Sequence, residues 1–346
     1  MAGREENGKI NVVINLRLPE GHVERIAAVS PRVVVHNPFE AYRREFQKQM
    51  GRKVEEGPEA EKLQNEYDGL LAEADALYVI AMLKDLNART PKLKWLHLGT
   101  AGFDYLFGSG FLERGITITN SAGVAAIPVS ERALEMIMSL AKERRALVKQ
   151  QEEKAWKRMN PAELYGATVG IISLGRIGSE IAKRSKAFGM RVIGTRRTAA
   201  GEKAENVEQV YPISRLNDLL AESDYVVLTL PSTAETKKLI GEAQLKAMKK
   251  SAFLINVARG DVVDEQALIA ALRDGTIAGA ALDVFDKEPL PADSAFWELP
   301  NVLISPHVAG YAEKGDDRMT DLFCDNLRRL LDGKQLVNIV DAKKGY

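Results

Sequence analysis

Residues 168–197 read TVGIISLGRIGSEIAKRSKAFGMRVIGTRR, and the change of periodicity along this stretch decides the fold. Val169 to Ile172 is a short apolar run rich in β-branched residues, which predicts a buried strand. Ser173-Leu174-Gly175-Arg176-Ile177-Gly178 follows, one glycine short of G-x-G-x-x-G. Ile177, Ile181, Ala182, Ser185 and Phe188 then recur at helical spacing as far as Gly189, and Arg191 to Thr195 reads as a second strand. Strand, tight turn, helix and strand within about thirty residues is the setting in which a glycine pattern becomes a dinucleotide site.

Each position has a physical task. Gly175 has no Cβ, so the backbone can approach a pyrophosphate, and Gly178 lets the helix pack closely on the strand. The helix N-terminus offers N–H groups and a positive dipole end to the phosphates. Ser173 stands where the pattern wants its first glycine, so it needs a negative φ or accepts strain. At the end of the second strand an NAD site usually carries an acidic residue for the ribose 2′-OH. Here Thr195-Arg196-Arg197 stands instead, with no carboxylate until Glu202. Two guanidiniums can hold a 2′-phosphate by charge-assisted, bidentate hydrogen bonds, which favours NADP(H) over NAD(H). A solvated basic turn is the competing explanation.

The chain has 346 residues, which favours two domains over one core. Lys plus Arg and Asp plus Glu both total 48, so net charge gives no reason to expect nucleic acid or an anionic membrane as partner. Cys324 is the sole cysteine, excluding an intrachain disulfide and a cysteine-rich metal site; no clustered ligands suggest a metal. No apolar run approaches the roughly 18 residues of a membrane span. MAGREENGKI has no apolar signal-peptide core, so the expected location is cytoplasmic.

Elsewhere strands and helices alternate. Ile10 to Leu16, Arg32 to Val35, Ala76 to Ile80, Leu93 to Leu98 and Ile116 to Asn120 read as strands, and Phe39 to Leu71 as a charged helical segment broken at Gly57-Pro58. Ile127 to Gln150 reads as one long helix with a charged end that reaches outside its domain. Trp156 beyond it suits an interface or a packed surface equally. The domain crossover is expected between Ser121 and Pro128. Alternation of this kind argues for α/β organisation with parallel sheets in both halves.

Ligands in parallel α/β sheets collect beyond the carboxyl ends of strands. Thr100-Ala101-Gly102, after one strand, is either an ordinary glycine-rich turn or an anion-binding nest. In the second half, strands end at Leu230-Pro231, at Val257-Ala258-Arg259, at Asp283 with Glu288 just beyond, and at Pro306-His307. Hydride transfer to a carbonyl needs a proton donor, and histidine is the usual one near neutral pH. Of four histidines, His22 and His36 read as structural or exposed, and His97 sits within an apolar strand. His307 is the best general acid, Glu288 would hold its tautomer, and Arg259 would grip a carboxylate in two-pronged fashion.

ELYGATVGIISLGRIG, LPSTAETKKLIG, LINVARGDVVDEQALIAAL, ALDVFDKEPLP and SPHVAG resemble landmarks of the D-isomer-specific 2-hydroxyacid dehydrogenase family. The resemblance implies Arg259 as substrate anchor, Glu288 as partner of the imidazole and His307 as acid/base. It further implies Asp283 as a contact to the nicotinamide carboxamide, Thr100-Ala101-Gly102 as the carboxylate-binding loop, and Leu230, Pro231, Val257 and Ala258 as cofactor neighbours. The implied architecture is a Rossmann-type dinucleotide-binding domain, residues 124–310, and a flavodoxin-like substrate domain, residues 1–123 completed by 311–346. The cleft would lie between them, with a homodimer formed through the cofactor domain. Arg196 stands where NAD-using members carry aspartate.

Three activities follow as expectations. The first is an NADPH-preferring reductase of small 2-keto acids, such as glyoxylate or hydroxypyruvate, giving the D-hydroxy acid. The second is an NAD-linked D-3-phosphoglycerate dehydrogenase, less expected because no regulatory domain follows. The third, a non-catalytic dinucleotide-sensing binding protein, conflicts with an intact Arg259, Glu288 and His307.

Overall fold

Short apolar runs, buried on both sides, organise the whole chain into parallel sheets covered by helices. The computed structural model describes residues 8–197 and 203–341; Glu202 lies outside them. The chain divides into two units, one running to Val124 and resuming at Glu313, the other spanning Ala125–Ala312.

The first unit holds β1 (Ile10–Asn15), β2 (Val33–His36), β3 (Ala76–Val79), β4 (Trp95–Leu98) and β5 (Thr117–Asn120), all parallel in the order β2-β1-β3-β4-β5. This is the flavodoxin-like order. Val13, Leu77, Val79, Leu96 and Leu98 face one side, against helices Phe39–Gln49 and Pro58–Ala72. The charged segment is therefore a helix pair. It is pinned by Arg89, which binds Glu45 at 2.6 Å, pairs with Asp68 and lies over the Tyr67 ring. On the other side Val12, Ile14, Tyr78 and Trp95 meet Phe323 and Leu327 of helix Gly315–Leu331, so the C-terminal helix closes the first unit's core.

The second unit holds β6 (Thr168–Ile172), β7 (Arg191–Arg196), β8 (Gln209–Pro212), β9 (Tyr225–Leu228), β10 (Phe253–Asn256), β11 (Gly279–Leu282) and β12 (Val302–Ile304). Their order is β12-β11-β10-β9-β6-β7-β8, all parallel, so the strand order reverses between β6 and β9. That reversal is where a Rossmann-type sheet receives its ligand. β8 escapes sequence reading because QVYP is short, polar and closed by proline. The single long helix expected from Ile127 is two helices, Ala126–Ala141 and Arg144–Glu152, broken at Glu143 with φ 50°. Beyond the break, Arg145 donates to the carbonyls of Leu299 (2.9 Å) and Val302 (3.1 Å), tying the second helix back to its own unit.

Candidate active site

The turn after β6 is built around a serine in an unfavourable conformation. Ser173 has φ 84°, so of the two alternatives its sequence posed, the strained one is realised. Left-handed backbone costs a non-glycine residue roughly 1–2 kcal/mol. Two hydroxyls hold it there: Thr195 Oγ1 accepts the Ser173 N–H at 2.9 Å, and Thr229 Oγ1 donates to the Ser173 carbonyl at 2.7 Å. A Cβ on Gly178 would lie 2.4 Å from that same carbonyl, so the close approach of helix Arg176–Ala187 demands glycine.

Gly175 differs. Its φ is −81°, and a Cβ there would meet nothing nearer than the Ser173 hydroxyl at 4.0 Å. Neither backbone nor packing requires glycine, and the open space lies at the start of a 12-residue helix whose first N–H groups are unpaired within it. A docking pyrophosphate supplies the missing reason for glycine, and the residues present fit one. Arg176 and Ile177 open that helix, the former exposed and the latter partly buried. Arg196 ends β7 half-buried, and Arg197 follows it exposed. Thr195, Leu230, Val257 and Ala258 are buried, whereas Pro231 is exposed.

At the ends of β10, β11 and β12 the structure brings Arg259, Asp283, Glu288 and His307 onto one edge of the second unit. His307 Nδ1 lies 2.7 Å from Glu288 Oε2, and Glu288 Oε1 accepts the Phe285 N–H at 3.0 Å. With both carboxylate oxygens engaged, Glu288 is fixed and Nδ1 carries the proton toward it. Nε2 is then the nitrogen left with no hydrogen bond among the described residues. His307 has φ 53°, a left-handed backbone pinned by its N–H to the Asp283 carbonyl at 2.8 Å.

The Asp283 side chain is buried, and its carboxylate accepts from the Ser305 hydroxyl, from Val308 N–H at 3.0 Å and from Ala309 N–H at 2.9 Å. In this structure Asp283 thus braces the loop that carries His307. Arg259 is half-buried, with Nη1 donating to the Ala258 carbonyl at 2.8 Å. Buried Asn256 staples that loop: its amide donates to the Arg259 carbonyl (2.9 Å) and its oxygen accepts from Ala258 N–H (3.0 Å). Sequence reasoning missed Asn256 and Ser305. A polar residue closing an apolar strand, and a serine before Pro306-His307, were the available signals.

In the first unit, Thr100-Ala101-Gly102 lies just past β4. The carbonyls of all three accept hydrogen bonds, from Ser121 N–H (3.0 Å), Asn120 Nδ2 (2.7 Å) and Thr100 Oγ1 (2.7 Å). The N–H groups of Ala101 and Gly102 find no acceptor among the described residues. Two such N–H groups on one turn are what an anion nest would require.

Two other histidines prove structural. His97 is fully buried, and burial pushes its pKa down to about 3. His22 is also buried, with Nδ1 2.7 Å from Thr320 Oγ1. Among the described residues no group of three or more His, Cys, Asp or Glu could hold a metal ion, and no helix is long and apolar enough to cross a membrane.

A family model described as D-isomer specific 2-hydroxyacid dehydrogenase, NAD binding domain, matches residues 134–309. A glyoxylate reductase of Korarchaeum cryptofilum is 38% identical over 261 residues, covering 73% of this chain and 77% of that protein. A D-3-phosphoglycerate dehydrogenase of Methanocaldococcus jannaschii is 33% identical, over 78% of this chain but only 52% of its own length. The crystal structure of a D-isomer specific 2-hydroxyacid dehydrogenase from Xanthobacter autotrophicus, in complex with NADPH and MES, is 30% identical. It aligns with a TM-score of 0.79 over 98% of this chain and all of that one. The chain belongs to the D-isomer specific 2-hydroxyacid dehydrogenase family. Its activity is that of an NAD(P)-dependent oxidoreductase interconverting a 2-keto acid and its D-2-hydroxy acid.

Proposed function

We propose that the protein reduces a small 2-keto acid, such as glyoxylate or hydroxypyruvate, with NADPH as preferred reductant. The observation that carries this reading is the His307–Glu288 pair at 2.7 Å, which leaves Nε2 with no hydrogen bond among the described residues. When bound, the reduced nicotinamide supplies a hydride to the carbonyl carbon. His307 Nε2 gives the carbonyl oxygen its proton, and Glu288 supports the imidazolium beforehand. Arg259 anchors the carboxylate and polarises the carbonyl, while the N–H groups of the Thr100-Ala101-Gly102 turn hold the carboxylate. Ser173, Gly175, Arg176, Ile177 and Gly178 cradle the pyrophosphate.

The preference for NADPH rests on Arg196 and Arg197 at the end of β7, with no carboxylate from Thr195 to Arg197. The Xanthobacter relative's NADPH complex agrees with it. The protein would work in the cytoplasm as a homodimer joined through the dinucleotide-binding unit. Exposed Leu147, Val148 and Trp156, at and beyond helix Arg144–Glu152, support that interface.

The test is a fluorescence titration of NADPH against NADH on wild type and Arg196→Ala, paired with turnover of glyoxylate and hydroxypyruvate. Tighter NADPH binding, abolished by Arg196→Ala, is the expected result. Equal or tighter NADH binding, with oxidation of 3-phosphoglycerate, would move the phosphoglycerate dehydrogenase reading to the front. Failure to oxidise NADPH with any 2-keto acid would remove the reductase reading.

A further inference from the structure

After helix Gly315–Leu331 the chain returns to the open edge of the first unit's sheet. Val340 N–H donates to the Ile118 carbonyl at 2.9 Å, and Thr119 and Ile339 form an antiparallel bridge. Beside that bridge Asn338 adopts φ 58°, a conformation asparagine tolerates, and turns its side chain onto the end of β5. Its Nδ2 donates to the carbonyls of Asn120 (3.1 Å) and Ala122 (2.8 Å), and Asn120 N–H donates back to the Asn338 carbonyl (3.1 Å). The backbone of Asn120 is thereby held from both sides by one residue of the C-terminal segment.

The Asn120 side chain is buried, and both of its ends are used. Oδ1 accepts from Ala122 N–H at 3.1 Å, and Nδ2 donates to the Ala101 carbonyl at 2.7 Å. The Ala101 carbonyl is the middle one of the three in the candidate carboxylate turn, and Asn120 is its only side-chain donor among the described residues. Its neighbours are drawn the same way, Thr100 by Ser121 N–H and Gly102 by the Thr100 hydroxyl. Fixing a carbonyl fixes its peptide plane, because the amide is rigid. The peptide that Nδ2 holds joins Ala101 to Gly102, so the bond sets where the Gly102 N–H points.

We propose that Asn120, braced by Asn338, is a positioning residue for substrate carboxylate recognition, aiming the Gly102 N–H through the Ala101 carbonyl. This inference rests on the reading of Thr100-Ala101-Gly102 as the carboxylate turn. It makes the C-terminal segment, through Asn338, part of substrate recognition.

The experiment compares Asn120→Ala, Asn338→Ala and the double variant in steady-state glyoxylate reduction. Alongside it, oxamate, a non-reducible 2-oxo acid analogue, is titrated onto the NADPH complex. Losing a buried hydrogen bond of the usual strength should raise the KM for glyoxylate and the dissociation constant of oxamate about tenfold in Asn120→Ala. Turnover should hold within about twofold and NADPH affinity should stay at the wild-type value, since the disturbed groups bind the carboxylate only. Asn338→Ala should raise both constants by about threefold, and the double variant should match Asn120→Ala, because the second residue acts through the first.

A lowered melting temperature with unchanged KM and oxamate affinity would overturn the inference and leave both residues purely structural. Additive effects in the double variant would overturn the link through Asn338. If Asn120→Ala does not fold, Asn338→Ala, which leaves the Asn120 side-chain bonds in place, decides the matter by the same KM readout. Failure of the underlying functional reading looks different: wild type itself would neither turn over glyoxylate nor bind oxamate.

Discussion

A Cβ placed on Gly260 would stand 1.9 Å from the carbonyl carbon of Phe285. The loop carrying Arg259 therefore lies in backbone contact with the loop carrying Glu288, and the contact exists only because residue 260 has no side chain. Phe285 also gives its N–H to Glu288, while Asn256 staples the Arg259 side of the junction. Arg259 and Glu288, the proposed substrate anchor and the proposed partner of the acid, are registered through this contact.

Gly260→Ala should separate those loops by more than the side chains can absorb. Displacements near 1 Å in reacting groups cost about 10²-fold in rate, so kcat/KM should fall by at least that much. Backbone lies on the far side of the clash and cannot give way as a flexible side chain would, so the melting temperature should drop too. A variant with wild-type kinetics would show that the two loops need not be registered.

The Asp283 carboxylate gathers three donors from the His307 loop, one of them the Ser305 hydroxyl. Ser305→Ala removes one donor and leaves the two backbone donors, so turnover should fall roughly 10–100-fold, as expected for one hydrogen bond to a charged group. Asp283→Ala removes the acceptor for all three and should be far more damaging. NADPH affinity measured by titration should be unchanged in Ser305→Ala. Loss of affinity with intact turnover would instead place Ser305 with the cofactor.

Much of this was legible in the sequence, and the reasons are local. The strand–turn–helix at residues 168–197 carries its own periodicity, and Arg259, Glu288 and His307 announce themselves as polar residues at the ends of apolar runs. What was hidden depends on partners distant in sequence. Nothing near Ser173 says that Thr195 and Thr229 hold it at positive φ. The break at Glu143 lies within a segment whose local pattern is helical throughout, while Arg145 beyond it answers to carbonyls 154 or more residues away. The bracing of Ala101 by Asn120, and of Asn120 by Asn338, spans 19 and 218 residues.

Glu288→Gln probes the acid directly. The amide can still accept the Phe285 N–H, but it then presents an N–H to His307 Nδ1, and the neutral imidazole must carry its proton on Nε2 instead. The negative charge that supports the imidazolium is also gone. Turnover should fall on the order of 10²–10⁴-fold, the range seen when an orienting carboxylate becomes an amide. NADPH binding, measured by fluorescence, should not change. Retention of more than about a tenth of wild-type turnover would remove Glu288 from the proton-transfer machinery.

His97 governs a different property, acid stability of the first unit. Trp95 Nε1 donates to Thr119 Oγ1 at 2.8 Å, and that oxygen lies 2.7 Å from His97 Nδ1. Ser121 Oγ, 3.4 Å from Nε2, donates onward to the Leu98 carbonyl. The threonine hydroxyl therefore donates to Nδ1, and the ring is held neutral among Tyr78, Trp95 and Phe323. Burial lowers its pKa to about 3, whereas an unfolded histidine ionises near 6.5. Between those values the unfolded chain binds a proton that the folded chain refuses, so this contribution is complete above pH 6.5 and shrinks as the pH falls toward 3. At pH 5 the loss is about 2 kcal/mol. His97→Gln, which keeps polar ends but cannot titrate, should be less stable than wild type at pH 7, and the gap should narrow at pH 5. Urea denaturation at pH 7, 6 and 5 measures both proteins; parallel stability losses across that range would show that His97 takes up no extra proton on unfolding.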